Sequence, residues 1–168
     1  IAMKTNSVNT IFNKDGNIHG DNTDVYGFEK SIINNKINLE GKSAFIFGAG
    51  GVVPSIISAL LKLKIRKIFI SNRTLKKAIL IKDKFNSVEV VEWGDVKESD
   101  LYINSTSIGL KESDNLRLNF KSFKGNKVFY DVIYNPPKTK FLIKAEKNGH
   151  KTLNGRDMFL YQAQKAFN

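Results

Sequence analysis

Apolar positions fall along this chain in short, regularly spaced groups. The clearest is Ser43-Ala44-Phe45-Ile46-Phe47, a continuous run of the kind expected for a strand buried on both faces. Beyond it, strand-like and helix-like segments alternate. Pro54 to Leu63 places Ile56, Ile57, Leu60 and Leu61 along one side of a helix, and Pro54 suits its first turn. Lys67 to Ser71 reads as a strand, and Thr74 to Phe85 as a helix with Ala78, Ile81 and Phe85 spaced for burial. Val88 to Val91, Leu101 to Ser105 and Lys127 to Val132 read as further strands. Lys138 to Asn148 is a helix ended by Gly149, and the last helix, Asp157 to Phe167, follows Gly155. Alternation of this length predicts an α/β fold, an open parallel sheet with helices on both faces.

The segment ahead of the first buried strand has a different pattern. Ser7 to Asn13 and Asn17 to His19 read as short extended pieces joined by Asp15-Gly16, a hairpin-turn dipeptide, and are too few to make a sheet of their own. Thr23 or Asp24 then caps a helix through Tyr26, Phe28, Ile32 and Ile33, broken by Asn34-Asn35. A new domain starts near Gly41.

Composition narrows the chemistry. The 168 residues contain no cysteine, which removes disulfides, thiolate nucleophiles and cysteine-ligated zinc, and His19 and His150 are too few for a histidine-rich metal site. No metal is expected. The longest apolar runs, such as Val52 to Leu61, fall well short of the ~20 residues of a membrane span, and nothing at the start reads as a signal peptide. The expectation is a soluble, cytoplasmic protein without a membrane partner. A net charge of +11 raises the question of nucleic acid. The lysines are scattered in ones and twos without interleaved aromatics, so a general lysine bias is the better reading and no nucleic-acid partner is expected.

Three segments carry chemistry. Gly48-Ala49-Gly50-Gly51-Val52-Val53 lies between a strand and a helix, where Gly48 permits the tight turn and Gly50 lets a pyrophosphate approach the backbone. That context makes the sheet Rossmann-type and doubly wound; the alternative is a strand-to-helix turn that merely uses glycines. The sixth position is Val53 rather than Gly or Ala, which predicts a wider separation of helix and strand there. About twenty residues on, where NAD enzymes carry an acidic residue, the chain has Asn72-Arg73-Thr74 and then Lys77. A guanidinium in that place suits a 2′-phosphate, so the cofactor inferred is NADP. A capped helix start with an exposed arginine is the alternative. At Gly20-Asp21-Asn22-Thr23-Asp24, two carboxylates crowd with small polar side chains, and a capped turn and a functional cluster are equally good readings.

Val8-Asn9-Thr10-Ile11, Gly20 to Asp24, Gly48 to Gly51, Asn72-Arg73-Thr74, Asn104-Ser105-Thr106, Tyr134-Asn135-Pro136, and Gly155 to Met158 with Gln162-Ala163 resemble, in order and spacing, the shikimate dehydrogenase family. The resemblance implies NADP-dependent reduction of 3-dehydroshikimate to shikimate in aromatic amino-acid biosynthesis, in a monomer or homodimer. It carries substrate binding to Asn9, Asp24, Tyr134 and Gln162, with Asp24 also the catalytic carboxylate whose family partner is a lysine. It carries cofactor binding to Gly48, Ala49, Gly50, Gly51, Asn72, Arg73, Thr74, Lys77, Asn104 and Thr106. Gly155 and Met158 match positions near the nicotinamide, and Val132 stands where the family has a methionine on that side.

The family also has a substrate domain of roughly one hundred residues, with the catalytic lysine and carboxylate-holding serines, ahead of most of this sequence. No lysine here sits in that motif. The resemblance thus implies residues 1–22 as a remnant of the substrate domain, 23–40 as a hinge helix and linker, 41–150 as the NADP-binding domain, and 151–168 as a segment and helix returning toward the substrate domain. The isolated chain is expected to bind NADP and turn over poorly. Related readings are a quinate-preferring dehydrogenase and a non-catalytic NADP-binding module.

Overall fold

In the computed structural model, residues 2–5 and 7–167 are described; residues 1 and 168, which bound the first and last expected segments, lie outside them, as does Asn6. A short helix α1 (Ala2–Thr5) precedes strands β1 (Thr10–Lys14) and β2 (Asn17–Asp21). These pair antiparallel through Asp15-Gly16, both with positive φ, the geometry of a two-residue hairpin turn. Contrary to the expectation that this segment is too short for a sheet of its own, the hairpin is a separate two-stranded sheet. The turn and the five-pair ladder close the hairpin, and Ile11 and Ile18 stay exposed.

Helix α2 (Asp24–Asn34) leads to the main sheet of β3 (Ser43–Phe47), β4 (Lys67–Ser71), β5 (Val88–Val91), β6 (Leu101–Asn104), β7 (Val128–Asp131) and β8 (Lys151–Leu153). The strands are all parallel, in the order β5-β4-β3-β6-β7-β8. This is the doubly wound arrangement in which the order reverses at the first strand, so a crevice opens beyond the carboxyl ends of β3 and β6. The parallel strands form because their side chains are apolar on both faces: every residue of β6 is buried, as are Ala44 to Phe47 of β3.

Helices α3 (Val53–Lys62) and α4 (Leu75–Lys82) pack on one face with α2 and α6 (Arg156–Phe167), enclosing Val25, Phe28, Ile46, Ile57 and Tyr130. The other face holds an aromatic core of Phe45, Phe47, Tyr102, Phe129 and Phe141, covered by α5 (Lys140–Lys147) and the 110–124 segment. That segment contains only a 3-10 turn, Phe120–Ser122, so the crossover from β6 to β7 is held by Phe120 and Phe123 packing tilted and edge-on against Phe129 rather than by a helix. Strand β8 escapes a pattern reading because only Leu153 of its three residues is buried. Val53 is fully buried in the first turn of α3. Gly149 (φ 80°) ends α5, with the amides of Gly149 and His150 turned back on Glu146 and Ala145. Among the described residues no helix is long and apolar enough to cross a membrane.

Candidate functional site

The crevice at the strand-order reversal is a cleft of about 290 Å³. One wall is the loop after β3: Gly48, Ala49 and Gly50. Gly48 has φ 106°, and a Cβ there would meet Ser105 Oγ at 2.8 Å, so the turn requires glycine for both conformation and space. A Cβ at Gly50 would be 3.9 Å from its nearest neighbour and one at Gly51 would meet nothing, which leaves the backbone open to a ligand. Among the described residues the amides of Gly50, Gly51 and Val52 find no acceptor, as expected at the start of α3. Open backbone with unpaired amides just ahead of a helix is a geometry suited to an anion.

The second wall comes from β4 and α4. Asn72 ties it to the first: its Oδ1 accepts from Ala49 N at 3.1 Å and its Nδ2 donates to Thr74 O at 2.8 Å. Arg73, Thr74 and Lys77 line the same cleft. Arg73 and Lys77 are exposed and make no ion pair among the described residues, so both charges are available to an anionic ligand. Thr74 caps α4 without a side-chain bond to it.

Ser105, Thr106, Ser107 and Ile108 form the third wall. Asn104, by contrast, is fully buried and lies beneath this loop, where its Oδ1 accepts from Thr106 N at 3.1 Å and Thr106 Oγ1 at 2.7 Å. Trp93, just past β5, completes the rim and is 41% exposed. The sequence gives little signal for Trp93, because it follows a short strand in an irregular segment; a lone exposed tryptophan was the available clue.

A second cluster gathers three distant segments. Asn9 Nδ2 donates to Asp24 Oδ1 at 2.9 Å, and Asn9 Oδ1 accepts from Thr23 N at 2.9 Å. Gln162, on α6, places Oε1 3.2 Å from Thr23 Oγ1 and 3.5 Å from Asn9 Nδ2. Burial raises the Asp24 carboxyl above its usual range, and the Asn9 hydrogen bond partly offsets this. Asn22 fastens the cluster to the helix after the glycine loop: its Oδ1 accepts from Ser55 Oγ at 3.2 Å. Gln162 reaches the cluster because Gly27 lets α6 lie directly on α2; a Cβ there would be 2.5 Å from Met158 O.

The remaining candidates stand apart from both. Tyr134 is half-exposed and stacks on Phe159 with ring centroids 4.9 Å apart, one turn before Gln162 on α6. Gly155 packs against the Val132 backbone so closely that a Cβ would overlap the Val132 carbonyl, and its amide donates to Ile133 O at 3.2 Å. Met158 is buried against the core with Val25 and Phe28. Val132, Gly155 and Met158 therefore form the junction between the end of β7 and the start of α6, outside the lining of the glycine-loop cleft.

A model of the family described as Shikimate / quinate 5-dehydrogenase matches residues 30–124. The chain is 53% identical over 166 residues to the shikimate dehydrogenase (NADP(+)) of Pelagibacter ubique, covering 99% of this chain and 63% of that protein. Among solved structures, shikimate 5-dehydrogenase of Listeria monocytogenes, in complex with shikimate and NAD, superposes with a TM-score of 0.90 at 32% identity, covering 99% of this chain and 63% of that one. The Thermus thermophilus enzyme, in complex with NADP(H) and shikimate, gives 0.88 at 29% identity, covering 99% and 62%. The chain thus spans a little over three-fifths of the length of these relatives.

Proposed function

The chain belongs to the shikimate / quinate 5-dehydrogenase family, and from that premise we propose that it binds NADP(H) in the cleft between Gly48–Gly50 and Ser105–Ile108 and serves the reduction of 3-dehydroshikimate to shikimate. The observation that carries this reading is one cleft lined by both the glycine loop and the Arg73 and Lys77 cations. When bound, the cofactor supplies or accepts the hydride. Arg73 and Lys77 would hold the 2′-phosphate, as cations suited to neutralising it. The free amides at the start of α3 hold the pyrophosphate. Asn9, Asp24 and Gln162 take the hydroxyl groups of the ring substrate. Asp24 Oδ1 is occupied by Asn9, which leaves Oδ2 to accept from a substrate hydroxyl.

Among the described residues no ammonium pairs with Asp24. The proton on the reacting oxygen therefore lacks a donor within this cluster, and the 168 residues alone are expected to turn over slowly, since a positioned general acid contributes about 10²- to 10⁴-fold. Oxidation of quinate is the second reading, because hydroxyl-directed side chains serve either polyol and the family description spans both. Calorimetric titration of shikimate and of quinate into the NADP⁺-saturated chain tests the assignment. Shikimate binding that disappears in Asp24→Asn is the expected result; tighter binding of quinate transfers the reading to that substrate, and shikimate binding unchanged in Asp24→Asn contradicts it.

A further inference from the structure

Asp131 ends β7 as a fully buried carboxylate. In the parallel register it lies beside Asn104, the last residue of β6. Both its oxygens accept from Asn104 Nδ2 at 3.1 Å; Oδ1 also accepts from Ile133 N at 3.0 Å and Oδ2 from Thr139 Oγ1 at 2.6 Å. Every partner is a donor, so the position calls for a group that only accepts. Burial raises the Asp131 carboxyl above its usual range, while the bonds from Thr139, Ile133 and Asn104 act the other way.

The network runs outward from Asp131 in two directions. Through Asn104, whose Nδ2 also donates to Ile108 O at 2.9 Å and whose Oδ1 accepts twice from Thr106, it folds the 105–108 wall onto itself. Thr106 Oγ1 closes the loop by accepting from Ile108 N at 3.0 Å. All four hydrogen-bonding capacities of the Asn104 amide are then used. Through Ile133 N and Thr139, the same carboxylate pins both ends of the segment carrying Tyr134, Asn135 and Pro136. Gly109 seats the two loops together, since a Cβ there would be 3.0 Å from Thr139 Cγ2 and 3.2 Å from Ile133 Cδ1.

We propose that Asp131 is a positioning residue for the dinucleotide cleft, holding the 105–108 wall and the Tyr134 segment in one arrangement through Asn104, Ile133 and Thr139. It lines no part of the cleft and acts through Asn104. The proposal rests on the cleft being the NADP(H) site.

The test compares Asp131→Asn and Thr139→Val with the unmodified chain, well below each variant's melting temperature. Dissociation constants are measured for NADPH and for adenosine 2′,5′-bisphosphate, which carries the phosphate facing Arg73 and Lys77 but not the nicotinamide half. Asp131→Asn sets an amide N–H₂ against a donor and is expected to weaken NADPH about tenfold or more, with Thr139→Val, which loses one bond, weakening it about threefold. The bisphosphate is expected to change less than about threefold in both variants, because it lacks the nicotinamide half. NADPH affinity within about twofold of the unmodified chain in both Asp131→Asn and Thr139→Val overturns the proposal, as does proportional weakening of both ligands. Failure of the unmodified chain to bind NADPH overturns both this inference and the cofactor assignment, whereas the other outcomes leave that assignment intact.

Discussion

Replacing Gly27 with alanine sets local propensity against packing. In a helix interior alanine is favoured over glycine by about 0.8–1 kcal/mol, so on propensity alone the variant is more stable. At Gly27 the new Cβ would lie 2.5 Å from Met158 O, 2.9 Å from Gln162 Cβ and 3.1 Å from Gln162 N. Heavy atoms in contact prefer about 3.5–4.0 Å, so α6 has to move away from α2 by roughly 0.5–1 Å. Two of the three neighbours are backbone atoms of a packed helix, which cannot swing aside. Overpacking of this kind costs about 1–3 kcal/mol; after the propensity gain a net loss of up to about 2 kcal/mol remains. For a chain of this length that lowers the melting temperature by up to about 8 °C. The same shift carries Gln162 away from Thr23 and Asn9, whose contacts at 3.2 and 3.5 Å have little room to lengthen. Thermal melts and shikimate titration of Gly27→Ala in the presence of NADP⁺ measure the two effects. A variant that melts at or above the unmodified chain refutes the packing argument.

Three other perturbations probe the cleft, the β7–α6 junction and the buried carboxylate. Arg73→Ala should weaken NADPH about 10- to 100-fold, the range of a lost charge-assisted bond, and leave NADH nearly unchanged in a fluorescence titration; equal losses for both refute 2′-phosphate recognition. Gly155→Ala drives a Cβ into the Val132 carbonyl, with its carbon only 2.6 Å away, and should cost about 2–3 kcal/mol in urea unfolding, so an unchanged midpoint contradicts the close approach. Asp131, raised by burial above its ordinary pKa of 3.8, leaves the native chain holding more protons than the unfolded chain between those two values. Stability therefore falls as pH rises through that window, by up to about 1.4 kcal/mol per unit. Urea unfolding of the unmodified chain relative to Asp131→Asn should show this slope and then flatten, and a relative gain in stability with rising pH contradicts it.

Much of this architecture is written in local pattern, and what is not depends on distant contacts. Phe45-Ile46-Phe47 and Leu101 to Asn104 announce central strands because both their faces are buried. Lys151-Thr152-Leu153 does not, because one buried leucine at a sheet edge leaves no periodic trace. The 110–124 crossover is held by aromatic packing from Phe120 and Phe123, for which helix and strand patterns have no template. In the cleft, the glycine loop and Asn72-Arg73-Thr74 are legible because the tight turn at Gly48 and the bond from Ala49 N to Asn72 place local demands on short stretches of backbone. Trp93 joins them only through the sheet order, which brings the end of β5 to the rim. The tight seats of Gly27 and Gly155 belong to α6 returning from the far end of the chain. Asp131 left one clue, a carboxylate at the end of Val-Phe-Tyr, but its donors come from β6 and from the start of α5.

Trp93 is the chain's sole tryptophan and stands on the cleft rim, so its fluorescence reports the site directly. Titrating the unmodified chain with NADPH and with NADH tests the central claim that this cleft reads a 2′-phosphate through Arg73 and Lys77. Saturable quenching by NADPH at concentrations at least about tenfold below those needed for NADH is the predicted result, matching the range of a charge-assisted contact. Equal response to the two cofactors, or no saturable response to NADPH, would contradict it.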